Sequence, residues 1–266
     1  VYLYSLDAKT GKKIDQKRLH GPLDEEGHPV IEISHHNDIV GAKSSILSAN
    51  GDQIYLRHLA FDNELREVRE DETDGHIMPS AGFLDDRLFH RSLWTFGRRM
   101  GISERPDGDA LVLEGDRLYC HVGHGSGRGA GTTFLEEGYA IFGGTVEEVS
   151  WTESRKPEKF VDMDGKTSFF RIKGDWKNKI NLAPRAMIKA GEYLYVAGTV
   201  HQYPPQQDDP WGAVEGRKGN TLEVYKEEER VLSLALDGFP VWDGMAAADG
   251  KLFISLMNGD LLCLQE

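Results

Sequence analysis

Hydrophobic and polar positions follow a short phrase that recurs along this chain: an apolar stretch, a tight turn, and an Ile or Leu followed by an aromatic residue. Three copies whose turn begins with glycine lie at residues 51–55, 115–119 and 191–195, and looser copies lie at 85–89 and 249–253. Turn residues between two apolar runs predict β-hairpins. One hairpin cannot bury its apolar face alone, so the recurrence predicts several small sheets packed face to face.

The pattern is clearest near the C-terminus. Apolar stretches there are separated first by Asp249-Gly250 and then by Asn258-Gly259. Both dipeptides favour two-residue hairpin turns, because their residues accept positive φ. The region is therefore predicted to be a three-stranded antiparallel meander.

The aromatic residue of each copy sets a common register. These residues are Tyr55, Phe89, Tyr119, Tyr195 and Phe253, and the residue after each is apolar in all copies except the second. Such strands are expected to lie between neighbouring sheets. We therefore predict an all-β chain, residues 1–266, forming a single β-propeller domain with about five recognisable blades; a two-sheet sandwich is the alternative. The long gap after Tyr119 holds either a degenerate unit around residues 139–142 or long insertions.

Composition narrows the classes of partner. The chain has 266 residues and a formal net charge of −13, which argues against nucleic acid as a partner. The sequence contains no run of about 18 consecutive apolar residues, so it predicts no membrane-spanning segment. Cys120 and Cys263 each lie in an apolar stretch and are expected to be buried thiols, although a single bridge between them is left open. Because Val1 begins in mid-strand, we expect the chain to be part of a longer protein.

The opening residues 3–12 (LYSLDAKTGK) carry a family resemblance. They resemble the PQQ-like (quinoprotein-type) propeller repeat, which ends in a strand, an Asp, a Thr-Gly turn and the outermost strand. Residues 259–264 extend the resemblance to the C-terminus. The resemblance implies the C-terminal portion of a bacterial propeller protein, periplasmic or secreted. Quinoprotein dehydrogenases carry an adjacent Cys-Cys pair, which this chain lacks, so no cofactor is predicted.

The repeat register also points to candidate ligand contacts. The tenth residue before each repeat aromatic should begin the innermost strand of a blade and face the central channel. These positions are Ser45, Pro79, Asp109, Arg185 and Asp243. The three charged residues are candidates for binding a small polar ligand or ion. The alternative is a hydrated channel in which these charges pair with one another.

Two further residues complete the candidate set. His121 lies three residues before His124, beside a glycine-rich stretch at 123–131 that is predicted to be a loop, and this spacing is weak evidence for a metal. Arg91 lies in the densest aromatic and basic segment, residues 90–94 with Phe83 and Phe96 nearby, which is either a recognition surface or blade-to-blade packing. No catalytic, cofactor or metal ligands are assigned.

These observations favour a non-catalytic binding or scaffolding module with a protein or glycan partner. A quinoprotein-type oxidoreductase whose active-site residues lie upstream, and a metal-dependent hydrolase or lyase, are the alternatives.

Overall fold

The computed structural model describes residues 2–19, 46–56, 59–68, 75–79, 94–97, 107–122, 139–150, 168–201, 209, 212 and 215–265. Within these ranges the chain forms strands and turns and no helix. The strands are β1 (Tyr2–Leu6), β2 (Lys13–Arg18), β3 (Leu47–Asn50), β4 (Gln53–Leu56), β5 (Leu59–Phe61), β6 (Glu67–Val68), β7 (His76–Pro79), β8 (Trp94–Gly97), β9 (Asp107–Gly108), β10 (Ala110–Glu114), β11 (Arg117–Val122), β12 (Tyr139–Ser150), β13 (Ser168–Ile180), β14 (Leu182–Ala190), β15 (Tyr193–Val200), β16 (Asn220–Lys226), β17 (Glu229–Leu236), β18 (Pro240–Ala248), β19 (Lys251–Leu256) and β20 (Leu261–Gln265).

Consecutive strands pair in small meandering sheets, as the recurring hairpins predict. The four-stranded sheets are β3–β6, β10–β13 and β14–β17, and the last sheet is the three-stranded β18–β20. Strands β1 and β2 pair with each other, and so do β7 and β8. The all-β prediction and the C-terminal meander are confirmed. The stretch beginning at Tyr139 is the third strand of its sheet rather than the start of a degenerate unit.

The chain divides into two compact units, residues 1–106 with 148–170, and residues 107–147 with 171–266. In the first unit β3 lies beside β7, and the Ser48 hydroxyl donates a hydrogen bond to the Ile77 carbonyl at 2.9 Å. In the second unit the first strands of three successive sheets are neighbours, in the order β10, β14, β18. Successive sheets that meet along their first strands are β-propeller blades. The propeller prediction is thus supported within each unit, while the number of blades and the PQQ-like type stay predictions.

The repeat aromatics occupy one structural position. Tyr55, Tyr119, Tyr195 and Phe253 are each the third residue of the second strand of their sheet. Each lies opposite the residue seven positions earlier on the first strand. The fifth copy, at Phe89, lies outside the described residues. The register read from the sequence is therefore the register of the sheets.

Burial falls from the second strand of each sheet toward the outer edge. The residues that follow the repeat aromatics are all buried: Leu56, Cys120, Val196 and Ile254. The outer strand β17 is exposed along nearly its whole length. Cys263 lies on outer strand β20 and is exposed, so the expectation that it is buried is wrong. Cys120 is buried, and no disulfide joins the two cysteines.

Four first hairpins in the described part of the chain close with two residues and a positive φ at the first of them. That angle is 59° at Gly51, 61° at Gly115, 54° at Gly191 and 51° at Asp249. The turn at Asn258-Gly259 is longer than predicted: β19 ends at Leu256 and β20 begins at Leu261, so four residues join the two strands. The Asn258 side chain bonds Asp260, and the Leu256 amide donates to the Asp260 carbonyl.

Candidate functional site

The three charged positions counted from the repeat lie at equivalent points of the second unit. Met187 pairs with Val196, and Met245 pairs with Ile254, the residue after the repeat aromatic in each case, so β14 and β18 share one register. Asp109, Arg185 and Asp243 therefore each precede the regular part of a first strand. The backbone is irregular at all three. Bulges are frequent beside functional sites because they re-aim side chains.

Asp109 lies against the buried His121 of the second strand. Its Oδ2 atom is 3.8 Å from His121 Nδ1, and its amide donates to the His121 carbonyl at 2.9 Å. On the other side of the ring, His121 Nε2 is 3.2 Å from the Leu182 carbonyl oxygen. A carbonyl only accepts, so Nε2 carries the proton. His121 thus joins the start of β10 to the start of β14.

Tyr139 and His201 extend this contact into a buried polar cluster. The rings of His121 and Tyr139 stack at 5.4 Å, and the His201 ring meets Tyr139 edge-on at 4.7 Å. Burial, with a smaller contribution from the Asp109 charge, raises the pKa of Tyr139 to about 12. Its hydroxyl therefore stays protonated at neutral pH. We call Asp109, His121, Tyr139 and His201 the histidine cluster.

Exposure limits what the histidine cluster can do chemically. The His121 side chain is 0% exposed, and that of Asp109 is 17% exposed. A general acid or base must come within hydrogen-bond reach of the substrate proton. Asp109 is the most exposed member, and Tyr139 and His201 are each only 8% exposed, so the arrangement favours holding strand starts together over proton transfer to a substrate.

Arg185 occupies the one-residue bulge of β14 and contacts two aromatic rings. Its guanidinium carbon lies 4.0 Å from the centre of the Phe239 ring and 4.4 Å from that of Trp242. Such contacts are cation–π interactions, worth about 0.5–2 kcal/mol each depending on solvent access. Burial lowers the pKa of Arg185. We call Arg185, Phe239 and Trp242 the arginine–aromatic cluster.

The last sheet presents Trp242 from a larger bulge. Between the pairs Pro240–Leu256 and Met245–Ile254, strand β18 carries four residues where β19 carries only Ser255. Asp243 lies in this bulge with a φ of 51°, and loss of water around its carboxyl raises its pKa. Asp accepts positive φ more readily than most residues, but such positions still carry strain and often mark functional sites.

The structure brings some predicted residues together and leaves others apart. Asp109 and His121 are in contact, and Arg185 contacts Trp242, which precedes Asp243. Ser45 and Arg91 lie outside the described residues, and Pro79 ends β7 opposite Trp94. That any of these residues contacts a ligand stays a prediction.

Sequence reasoning missed Tyr139, His201, Phe239 and Trp242. A signal existed for Trp242, because a large aromatic beside a counted strand-start position is a candidate contact. Tyr139 and His201 lie 62 residues apart in the chain, and only the pairing of β11 with β12 brings Tyr139 to His121.

Among the described residues, no three His, Cys, Asp or Glu side chains are grouped as a metal ion would require. In the same part of the chain, no helix is long and apolar enough to cross a membrane. Comparisons with protein-family models, curated proteins and solved structures found no match to this chain.

Proposed function

We propose that this chain is a non-catalytic binding module of a PQQ-like propeller, with about five blades, in a periplasmic or secreted protein. The family and the location rest on the resemblance of residues 3–12 and 259–264 alone. The partner is a protein or a glycan that meets the strand starts of the second unit.

One observation carries the proposal: Trp242 is 49% exposed while its ring contacts the Arg185 guanidinium. Tryptophan and arginine are the residues most enriched at binding hot spots, because each offers a large contact area with specific polar geometry. This half-exposed indole lies outside the buried core cluster of its sheet. A binding role explains why the Trp242 ring lies at the surface beside the Arg185 guanidinium.

The buried histidine cluster supports binding over catalysis. It fixes the starts of β10 and β14 through the Leu182 carbonyl, and β14 carries Arg185 three residues further on. A contact surface gains affinity when its residues are held in place before the ligand arrives. The histidine cluster can therefore support binding by fixing the strand starts, without contacting the ligand itself.

The test is retention of the purified chain on a panel of immobilised glycans and proteins, with recovery of the bound ligand afterwards. We expect retention on at least one ligand class, loss of retention in Trp242→Ala, and recovery of the ligand chemically unchanged. Lys251→Gln is the matched surface control, because Lys251 begins β19 at the other end of the same sheet. Retention on nothing, or conversion of the ligand to a product, would contradict the proposal.

A further inference from the structure

The two-stranded sheet of β1 and β2 has one packed face and one open face. On the packed face, Leu3 lies in a buried core cluster with Phe61 and Leu65. Side chains alternate between the faces of a strand, so Tyr2, Tyr4 and Leu6 lie on the other face. Ile14 is the extra residue of a bulge opposite Leu6. We call these four large side chains, which are 50–66% exposed, the hairpin face: Tyr2, Tyr4, Leu6 and Ile14.

The turn that joins β1 to β2 is basic, although the chain as a whole is acidic. Lys9, Lys12 and Lys13 are exposed there, and within the described residues none of them forms an ion pair. Asp7 is the acidic residue of the same turn, and its Oδ1 atom accepts hydrogen bonds from the amide and the hydroxyl of Thr10, both at 2.7 Å. The turn therefore carries an excess of positive charge next to the hairpin face.

Strand β17, the outer strand of the β14–β17 sheet, also exposes apolar side chains. Leu232 and Leu234 lie opposite Val224 and Leu222 of β16, which pack with β19 in one core cluster. The last sheet has three described strands where its neighbour has four, so no described strand there corresponds to β17. The two leucines are therefore 50% and 38% exposed, and Val231 is 45% exposed. We call these three residues the outer-strand face.

The turn that leads into β17 is acidic. Residues 227–229 are three exposed glutamates. The two cations beside them are already paired, Lys226 with Glu192 at 2.8 Å and Arg230 with Glu223 at 2.7 Å. The outer-strand face thus begins at a negatively charged turn, whereas the hairpin face begins at a positively charged one.

The two surfaces match in layout as well as in charge. In each, apolar side chains follow the charged turn along about five strand residues, or roughly 15 Å. When the two turns lie together, lysines meet glutamates while the apolar side chains cover one another. We propose that the hairpin face and basic turn of one copy of this chain dock on the outer-strand face and acidic turn of a second copy. The inference is independent of the proposed ligand surface.

The overall charge sets the strength of this contact. Two copies that each carry a formal net charge of −13 repel one another at a distance. The exposed apolar side chains are few, and small interfaces of this kind are typical of transient association. Self-association is therefore reversible and depends on the local match between the two turns.

The test is sedimentation velocity of the whole chain from about 1 μM to about 1 mM, where we expect association to increase with concentration. Lys12→Glu with Lys13→Glu should weaken it at least about tenfold, because like charges then face each other. Glu228→Lys with Glu229→Lys should weaken it by a similar factor. The second pair changes the formal net charge from −13 to −9, so general repulsion alone predicts the opposite result.

A charge swap and a control make the test specific. Combining all four substitutions restores the formal net charge of −13 and places opposite charges together again, so association should return to within about threefold of the unaltered chain. Asp52→Lys with Asp116→Lys is the matched control, because it makes the same change in net charge at two other exposed turns. It should not weaken association.

Thermal unfolding checks that every variant is folded. Tyr4→Ser and Leu232→Ser leave the charges unchanged and provide a second route if a charge variant does not fold. Each should weaken association at least about threefold, because each removes apolar surface from the contact.

Three results would overturn the inference. A single unassociated species at every concentration would leave both surfaces to a different partner. Association that only one of the two charge reversals weakens would show that the other surface is not its partner. Failure of the fourfold variant to associate, while it remains folded, would show that the two turns do not meet.

Discussion

The two ends of the first strands in the second unit differ sharply. At the hairpin end, β10, β14 and β18 each turn into the next strand through two residues, and φ at the first of these is between 51° and 61°. At the starting end the same strands carry three different irregularities, at Asp109, Arg185 and Asp243. All three hairpins thus close with two residues and a positive φ at the first, although only the last also has a positive φ at the second, Gly250. Turns of one length specify the fold, and varied strand starts beside exposed aromatic or charged groups are where a ligand contact can be built.

The largest expected effect comes from overfilling the backbone that supports the Arg185 bulge. A Cβ at Gly198 would overlap the Ala183 carbonyl oxygen and lie 2.8 Å from Pro184 Cα, and backbone atoms cannot yield cheaply. We expect Gly198→Ala to lower the free energy of unfolding by about 3 kcal/mol, the upper end of the usual range for an overfilled core. Urea denaturation measures this loss. Gly174→Ala is the matched control, because nothing lies within 4 Å of a Cβ there. Equal stability of the two variants would contradict the packing argument.

A smaller effect is expected at the hairpin end. Asp249 adopts a φ of 51° as the first residue of its turn. A β-branched residue in that conformation is strained, so Asp249→Val should lower the free energy of unfolding by about 1–2 kcal/mol. Asp249→Gly, which relieves the angle, should stay close to the unaltered chain. Neither variant should change ligand retention. A change in retention with unaltered stability would contradict the claim that the hairpin end stabilises the fold and does not contact the ligand.

The starting end should tolerate a comparable change. Asp243 has the same φ of 51°, and glycine adopts it without steric cost. We expect Asp243→Gly to change the free energy of unfolding by less than about 1 kcal/mol in either direction. Chemical denaturation provides the measurement. A loss well above that figure would mean that the Asp243 side chain stabilises the sheet. The bulge would then contribute to stability as the hairpin turns do.

The smallest effect is a dependence on alkaline pH. Tyr139 has a pKa of about 12 in the folded chain, above the ordinary value of 10.0. The folded state therefore keeps this proton longer than the unfolded state, so its contribution to stability is complete below pH 10 and is lost as the pH rises toward 12. Tyr139→Phe should show a shallower loss of stability over that interval than the unaltered chain. Parallel curves for the two proteins would contradict the burial of this hydroxyl.

The fold was readable from the sequence where local chemistry decides it. The Gly-Asp, Gly-Glu and Asp-Gly turns fix two-residue hairpins, and the apolar residue after four of the five repeat aromatics marks the buried second strand. The position of Arg185 also followed from counting along the repeat. The exposure of Cys263 did not, because an apolar stretch has the same composition on an outer strand as on an inner one.

The composition of the candidate site could be predicted only in part. Asp109, Arg185 and Asp243 follow from the register, but their partners depend on how successive sheets pack. Arg185 meets Phe239 and Trp242 because β14 lies beside β18, and the bulge that presents Trp242 has no local sequence signature. His201 follows the end of β15, and its contact with Tyr139 needs two different sheets. Periodicity cannot supply such contacts between sheets.

The most direct test of the account is to map where a ligand binds on the second unit. The tightest ligand from the panel is titrated into the isotopically labelled chain while NMR signals are followed at both ends of the first strands. The account predicts shifts at the Trp242 indole and the Arg185 guanidinium, with the turn amides of Gly115, Gly191 and Gly250 unchanged. Shifts concentrated at those turns, with Trp242 and Arg185 unaffected, would contradict it.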